Sequence, residues 1–499
     1  MIQLKKLAGQ TAIYGVSSVI GRLLNYLLTP ILTRPEIGGF NPGEYGVITE
    51  MYAYLAFLIV FLTYGLETAF FRFKHKNEDK KHVYSTALIS LLLSSALFVF
   101  CVFLFSFEIS SFLGYPNNQE YVRWFSIIVG IDAVCSIVFA KLRYENKALK
   151  FSLVRIMSIA INIFAVLFFL IVCPLLQSED TLSYLTKSFY DPQVGVGYVF
   201  IANLIASSAT LLVLLSEMKD IKWGLNYVLW KKMIRYSLPL MIAGLAGMIN
   251  ETVDRVLLKK LLPSIKDTSA NPSGDIMYEI GIYGAFYKIS IFMMLFIQTF
   301  RYAAEPFYFK YKKEKDSKKL YADVMKYFVI ASSTIFLAVM INFDLFKHFI
   351  GTQFHDIRGF KIVAVLMLAN YFFGLYYNLS IWYKLTDKTR YGAYISIFGA
   401  AITISLNFML VPVIGIFGSA ITTLVCYVTM TIVSFYFSRY HYEVPYDLRS
   451  ISTYFILMVF IFMVSQFYNL GQIINSIYIL IFIFVAYVLE FKTKKIRIK

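Results

Sequence analysis

The sequence predicts an all-α polytopic membrane protein of about 14 transmembrane helices, and three observations predict it. First, its 499 residues are 59% hydrophobic and 18% aromatic, with a mean hydropathy of +0.65. Charged residues are only 15%, against roughly 25% in soluble domains, and a soluble interior of this size could not hide 47 Phe and 38 Tyr. Second, the apolar residues gather into runs of roughly 17–27 positions, each able to cross a bilayer as a helix. Third, the basic residues fall on alternate sides of those runs.

In order, the runs are 10–32, 46–71, 83–107, 121–140, 151–173, 195–216, 234–258, 280–304, 323–346, 361–384, 392–411, 414–437, 451–468 and 473–490. The first follows Lys5 and Lys6 but is longer than a signal core and lacks a small-residue cleavage pattern, so it reads as a span. Along it Tyr14, Ser18, Arg22, Asn25 and Thr29 recur at spacings of three and four, a polar stripe on one helical face. Such a stripe either lines a cavity or satisfies a neighbouring helix. The seventh run carries Pro239, Gly244 and Gly247 ahead of Asn250, Glu251, Asp254 and Arg255. Glu251 and Arg255 stand four apart, a spacing at which they can neutralise each other. The eighth carries Lys288 and Arg301 and is expected to break at Glu305-Pro306 into a loop rich in lysine, from Lys310 to Lys319. The eleventh and twelfth divide near Val411-Pro412. The connections stay short, about twenty residues at 174–194 and 259–279, too small for a folded domain.

With the N-terminus in the cytoplasm, 33 of the 47 Lys and Arg fall on the inner side. Eight fall outside: Arg34, Lys187, Lys259, Lys260, Lys266, Lys347, Arg358 and Lys361. The bias places both termini in the cytoplasm. It also accounts for the net charge of +17 without a polyanion, so no nucleic-acid partner is implied. The remaining six, Arg22, Arg123, Arg155, Arg255, Lys288 and Arg301, lie within or at the edges of the runs. Facing lipid, six such cations would cost roughly 15–20 kcal/mol. Arg123 and Arg155 sit near span ends and are expected to snorkel; the others are expected to pair or face a wet cavity. Glu50, Glu67, Asp132, Glu251 and Asp254 form an intramembrane acidic set with Glu305 at an inner edge. Each is a candidate to bind H⁺ or Na⁺, as ion coupling requires, or to hold a buried arginine.

Catalysis is not expected. The sequence has no phosphate-cradling glycine loop with Lys-Ser/Thr, no G-x-S-x-G and no H-E-x-x-H. Cys101, Cys135, Cys173 and Cys426 lie singly in apolar runs, which argues for packing rather than disulfides or metal. No cofactor and no metal are expected.

An internal echo adds to this. Glu44-Tyr45-Gly46-Val47 returns as Glu279-Ile280-Gly281-Ile282, and Glu67-Thr68-Ala69-Phe70-Phe71-Arg72-Phe73-Lys74 as Glu305-Pro306-Phe307-Tyr308-Phe309-Lys310-Tyr311-Lys312. The pattern fits a transporter built from a parallel repeat. Gly21-Arg22-Leu23-Leu24-Asn25, Thr33-Arg34, the block from Glu44 to Lys74, Asp254-Arg255 and Phe300-Arg301-Tyr302-Ala303-Ala304-Glu305-Pro306 together resemble bacterial polysaccharide flippases. These belong to the multidrug/oligosaccharidyl-lipid/polysaccharide (MOP) exporter superfamily. The resemblance implies two six-helix lobes, residues 1–222 and 223–440, with two further helices and a basic tail at 441–499. It implies alternating access. The implied cargo is an oligosaccharide on a polyprenyl pyrophosphate such as undecaprenyl pyrophosphate, carried to the periplasmic leaflet of the inner membrane for O-antigen, capsule or exopolysaccharide assembly. The family's cationic lumen would map onto Arg22, Arg255, Lys288 and Arg301, with Asn25 beside them. A monomer is expected, meeting membrane lipids and other polysaccharide-assembly proteins. The rivals are an ion-coupled multidrug exporter of the same superfamily and a membrane glycopolymer polymerase or ligase. The first would need to bind cations, which arginine-bearing spans disfavour. The second would need a large outer loop carrying Arg or His, and the sequence has none.

Overall fold

The computed structural model describes residues 21, 23–24, 26–76, 80–178, 186, 188–219, 221, 224–263, 275–312, 314, 316–468 and 472–498. Arg22 and Asn25 lie outside them, as does most of the first predicted span. Among the described residues there is no strand, and 12 helices are long and apolar enough to cross a membrane. The main helices are α1 Pro42–Thr63, α2 Leu66–Lys76, α3 Lys80–Leu104, α4 Gln119–Tyr144, α5 Ala148–Leu167, α6 Gly197–Leu214, α7 Tyr227–Leu261, α8 Ile276–Tyr311, α9 Ser317–Ile341, α10 Gly359–Leu379, α11 Arg390–Ile414, α12 Ile416–His441, α13 Leu448–Phe467 and α14 Gln472–Ile498. The protein is an all-α polytopic membrane fold.

Local chemistry sets the helix ends. Ahead of α1 the Asn41 side chain accepts from the Glu44 amide at 3.0 Å, and the Glu44 carboxylate accepts from the Asn41 amide at 3.1 Å. This reciprocal box, with Pro42 at the first helical position, satisfies two amides that a helix start leaves open. Asp275 serves α8 in a similar way, accepting from the Met277 amide at 3.0 Å. Tyr64 and Gly65, with φ of 34° and 68°, divide the single predicted run 46–71 into α1 and α2.

Three predicted boundaries are corrected. Helix α8 does not break at Glu305-Pro306 but continues to Tyr311, so Lys310 stands on a helix rather than in a loop. Helix α11 passes through Pro412 and ends at Ile414, with the break at Gly415, whose φ is +61°. Helix α7 contains Pro239 and runs past the predicted 234–258 at both ends. Proline in a spanning helix is tolerated because neighbouring helices and side chains re-satisfy the carbonyl it leaves open.

Two compact units divide the chain: Met1–Lys259 with Asp267–Gly281, and Lys260–Lys266 with Ile282–Lys499. In the first, α4 is the central helix, packed by α3, α6 and α1, while α5 lies against α6. Its core joins Leu66, Phe70, Leu88, Leu91, Ile137 and Val138, all at 0% exposure. In the second, α12 packs on α10 and α11, and α9 packs on α10, α13 and α14. The faces turned away from both cores keep large apolar side chains, such as Leu93, Leu97 and Phe100 on α3 and Phe460 and Met463 on α13. That is the surface a lipid-facing helix requires.

Candidate functional site

The charged residues inside the spanning helices fall into separate clusters. In the first unit Glu50, on α1, is fully buried. Its carboxylate accepts from Lys259 Nζ at 2.8 Å, from the Tyr54 hydroxyl at 3.1 Å and from the Tyr115 hydroxyl. Lys259 also donates to the Leu113 carbonyl at 2.5 Å and lies 3.9 Å from the centre of the Tyr115 ring. Burial, and then the adjacent Glu50 charge, push the Tyr115 phenol well above its ordinary value, so it stays a donor.

Arg255 on α7 is also buried. Its guanidinium lies 3.3 Å from the Asp254 carboxylate and donates to the main-chain carbonyl of Glu251 at 2.7 Å. The spacing left open whether Glu251 neutralises Arg255; in the structure the carboxylate beside Arg255 is that of Asp254, and Glu251 contributes backbone oxygen. Asp132, on α4, accepts from the Ser207 hydroxyl at 2.9 Å and stands within electrostatic reach of Arg155. Tyr52 and Asn203 join beside it through a 3.2 Å hydrogen bond. Arg155 itself lies over the Phe139 ring at 4.3 Å. Arg123 donates to Ser106 Oγ at 2.9 Å and to Gln119 at 3.2 Å. Glu67 pairs with Arg143 at the other end of the spans, a half-exposed contact.

In the second unit α8 carries the half-buried Lys288 and, thirteen residues on, Arg301. The Arg301 guanidinium donates to the Tyr377 hydroxyl at 2.9 Å, lies 4.8 Å from that ring and reaches Glu305 at 3.3 Å. Lys384, at the end of the α10 span, takes the same Glu305 oxygen. Two cations share one carboxylate, and their side chains keep 44% and 24% exposure. An anion could therefore bind there by forked, charge-assisted bonds from Arg301 with Lys384 as a point charge. The structure thus joins Glu50 to Lys259, Asp254 to Arg255 and Arg301 to Glu305. Lys384, Tyr377 and Tyr115 did not stand out in the sequence. Lys259 did appear there, but as an outer-loop residue, and it is corrected to the last turn of α7.

A chain of long apolar helices that holds clustered cations inside its spans belongs to the class of polytopic membrane proteins. The family model described as polysaccharide biosynthesis protein matches residues 7–312, more than half of the chain, and the chain belongs to that family. No curated protein matches it. Among solved structures it is similar to the lipid II flippase MurJ in an inward closed conformation, with a TM-score of 0.71 at 14% identity, covering 98% of this chain and 100% of that one. It is also similar to a multidrug resistance MATE family transporter of the MOP superfamily. The inward-facing form gives a TM-score of 0.62 at 14% identity, over 86% of this chain and 94% of that one. The outward-facing form gives 0.56 at 15% identity, over 87% and 95%. The fold is that of MOP-superfamily transporters and flippases.

Proposed function

We propose that the protein is a flippase carrying a polyprenyl-pyrophosphate-linked oligosaccharide from the cytoplasmic to the periplasmic leaflet by alternating access, without catalysis. The observation that carries this reading is the Arg301–Glu305–Lys384–Tyr377 cluster, open and net cationic within spanning helices. Pyrophosphate is among the anions such a forked site can hold, and Tyr377 offers an aromatic face beside it. A sugar head brings hydroxyls that each cost several kcal/mol in hydrocarbon without partners; a wet path for the head, with the tail left in lipid, avoids that cost. Exporting two negative charges from a negative interior gains about 4–5 kcal/mol per 100 mV unless cations move with them. Arg22, Asn25, Arg255 and Lys288 complete the proposed anion path. Glu50, Glu67, Asp132, Glu251 and Asp254 are the proposed coupling set for H⁺ or Na⁺. The fold similarity to multidrug transporters keeps export of another solute as the second reading, but amphipathic cations would meet repulsion at Arg301 and Lys384.

The test is a deletion strain complemented by variants, scored for the leaflet that holds the lipid-linked sugar. Without the protein the sugar should remain on the cytoplasmic side. Arg301→Ala should leave it there at near-normal protein abundance, and Arg301→Lys should restore part of the export. Full export in the alanine variant would remove Arg301 from the site, and an outer-leaflet sugar in the deletion strain would remove the function.

A further inference from the structure

The two copies of the sequence echo meet each other. Gly46 on α1 and Gly281 on α8 lie backbone to backbone. A methyl group at Gly46 would overlap the Met277 carbonyl and stand 3.2 Å from the Gly281 nitrogen. One at Gly281 would overlap the Pro42 carbonyl and stand 3.1 Å from the Gly46 nitrogen. Met277 precedes Gly281 by four residues and Pro42 precedes Gly46 by four, so the contact is reciprocal. Only hydrogen fits at either position, which lets two helices touch along their first turns. One turn further along α1, on the same face, stands Glu50. The groups facing it are Tyr54 from α1 itself, Tyr115 from the loop ahead of α4, and Lys259 from α7. Tyr115 in turn lies 3.6 Å from Met277 Sδ on α8. Helix α1 is thus held by the last turn of α7 and the first turns of α8, the two sides of the 262–275 connection.

We infer that this crossing, with the Glu50–Lys259 pair below it, is a latch whose release parts the ends of α1 and α8. On the orientation proposed above, on which this inference rests, that end faces the periplasm, where cargo leaves. The two parts of the latch have different physics. The glycine contact is short-range, because a separation of about 0.5–1 Å already forfeits roughly a quarter to a half of its attraction. The ion pair is switchable: latched, every polar atom of Glu50 has a donor, and unlatched, both charges need water or a substitute ion. Release is therefore possible only into a wet opening, as a gate at a membrane surface provides.

The test uses the full-length chain, with its four cysteines replaced, carrying Gly43→Cys and Asp275→Cys. A β-carbon at position 43 lies 3.7 Å from the Asp275 carboxylate and 3.3 Å from Asn41 Oδ1 and meets no backbone, so the two positions are neighbours while latched. Two readouts are taken in native membranes, the rate of disulfide formation and glycan export. Bridging should stop export and reduction should restore it. Adding Gly46→Ala or Gly281→Ala should slow bridging about tenfold, as a population shift of that size requires, and Glu50→Gln should slow it as well. Size-exclusion profiles confirm that each variant is folded. A bridged protein that exports normally overturns the latch, and so do bridging rates that none of the three variants changes. The rates need no cargo, so they still judge the latch if the flippase reading fails.

Discussion

At the residue scale, spacing alone does not name the neighbours of a buried charge. Arg255 and Glu251 have the spacing of a helical ion pair, yet Asp254 provides the carboxylate, 3.3 Å away. Side chains on adjacent positions usually diverge, but here Asp254 turns back, its carboxylate also accepting from the Arg255 amide at 2.9 Å. Removing one partner of such a pair leaves an uncompensated buried charge, at about 3–5 kcal/mol. Asp254→Asn should therefore lower the amount of folded protein, measured by size-exclusion chromatography of a fluorescent fusion. Asp254→Asn with Arg255→Gln should recover it. Glu251→Gln should stay close to the unmodified protein, because Arg255 takes its backbone oxygen. A deficit in Glu251→Gln equal to that of Asp254→Asn would return the pairing to Glu251. The acidic half of these sites was legible in the sequence, since a carboxylate inside an apolar run must have a partner. The partners were less so. The apolar run ends before Lys259-Lys260, which reads as the start of a loop, although Leu261, Leu262 and Pro263 follow. The proline was the better stop signal, and it would have left Lys259 on the helix one turn after Arg255.

At the scale of elements, the apolar runs located nearly every helix among the described residues, because lipid imposes a minimum length and tolerates few charges. Helix ends were harder to read, since the chain keeps helical geometry beyond the hydrocarbon and through proline. Both α7 and α8 extend several residues further than their apolar stretches. The attachment of the C-terminal pair was not legible, because it depends on a basic residue inside a span. Lys326 on α9 is 4% exposed and donates to Glu490 of α14 at 2.7 Å. Tyr454 of α13 donates to the other oxygen of the same carboxylate at 2.7 Å. One carboxylate thus joins three helices. Glu490→Gln leaves the buried Lys326 only the half-exposed Asp323 carboxylate, 3.9 Å away, so the loss should approach that of a broken buried pair, about 3–5 kcal/mol. It should appear as a lower midpoint for loss of the monodisperse peak on heating. Replacing the whole set, Lys326→Met with Glu490→Leu and Tyr454→Phe, leaves no orphaned polar atom. Such a variant should match or exceed the unmodified protein, since buried ion pairs are often no better than apolar packing. A triple variant as unstable as the single one would show that the polar set holds the helices by more than charge balance.

At the scale of the whole molecule, the distribution of Lys and Arg carries the orientation, and function depends on it. On the sequence reading of 33 inner and 8 outer basic residues, Lys259 counted among the outer ones, the loop after α9 should face outside and the loop between α10 and α11 should face the cytoplasm. The sites to probe must also be accessible. Ser317 is buried by its neighbours at 6% exposure, so a cysteine there would resist labelling from either side. Thr352 and Thr389 are exposed and lie on opposite predicted sides. In a background without Cys101, Cys135, Cys173 and Cys426, Thr352→Cys should react with a membrane-impermeant maleimide in intact spheroplasts. Thr389→Cys should react only after the membrane is opened. The reverse pattern would place the Gly46–Gly281 crossing at the cytoplasmic surface. The latch would then close the entry side, and an anionic cargo moving outward would have to pass it first. Labelling of both positions from outside would break the alternation of spans, and with it the helix count from which the orientation is derived.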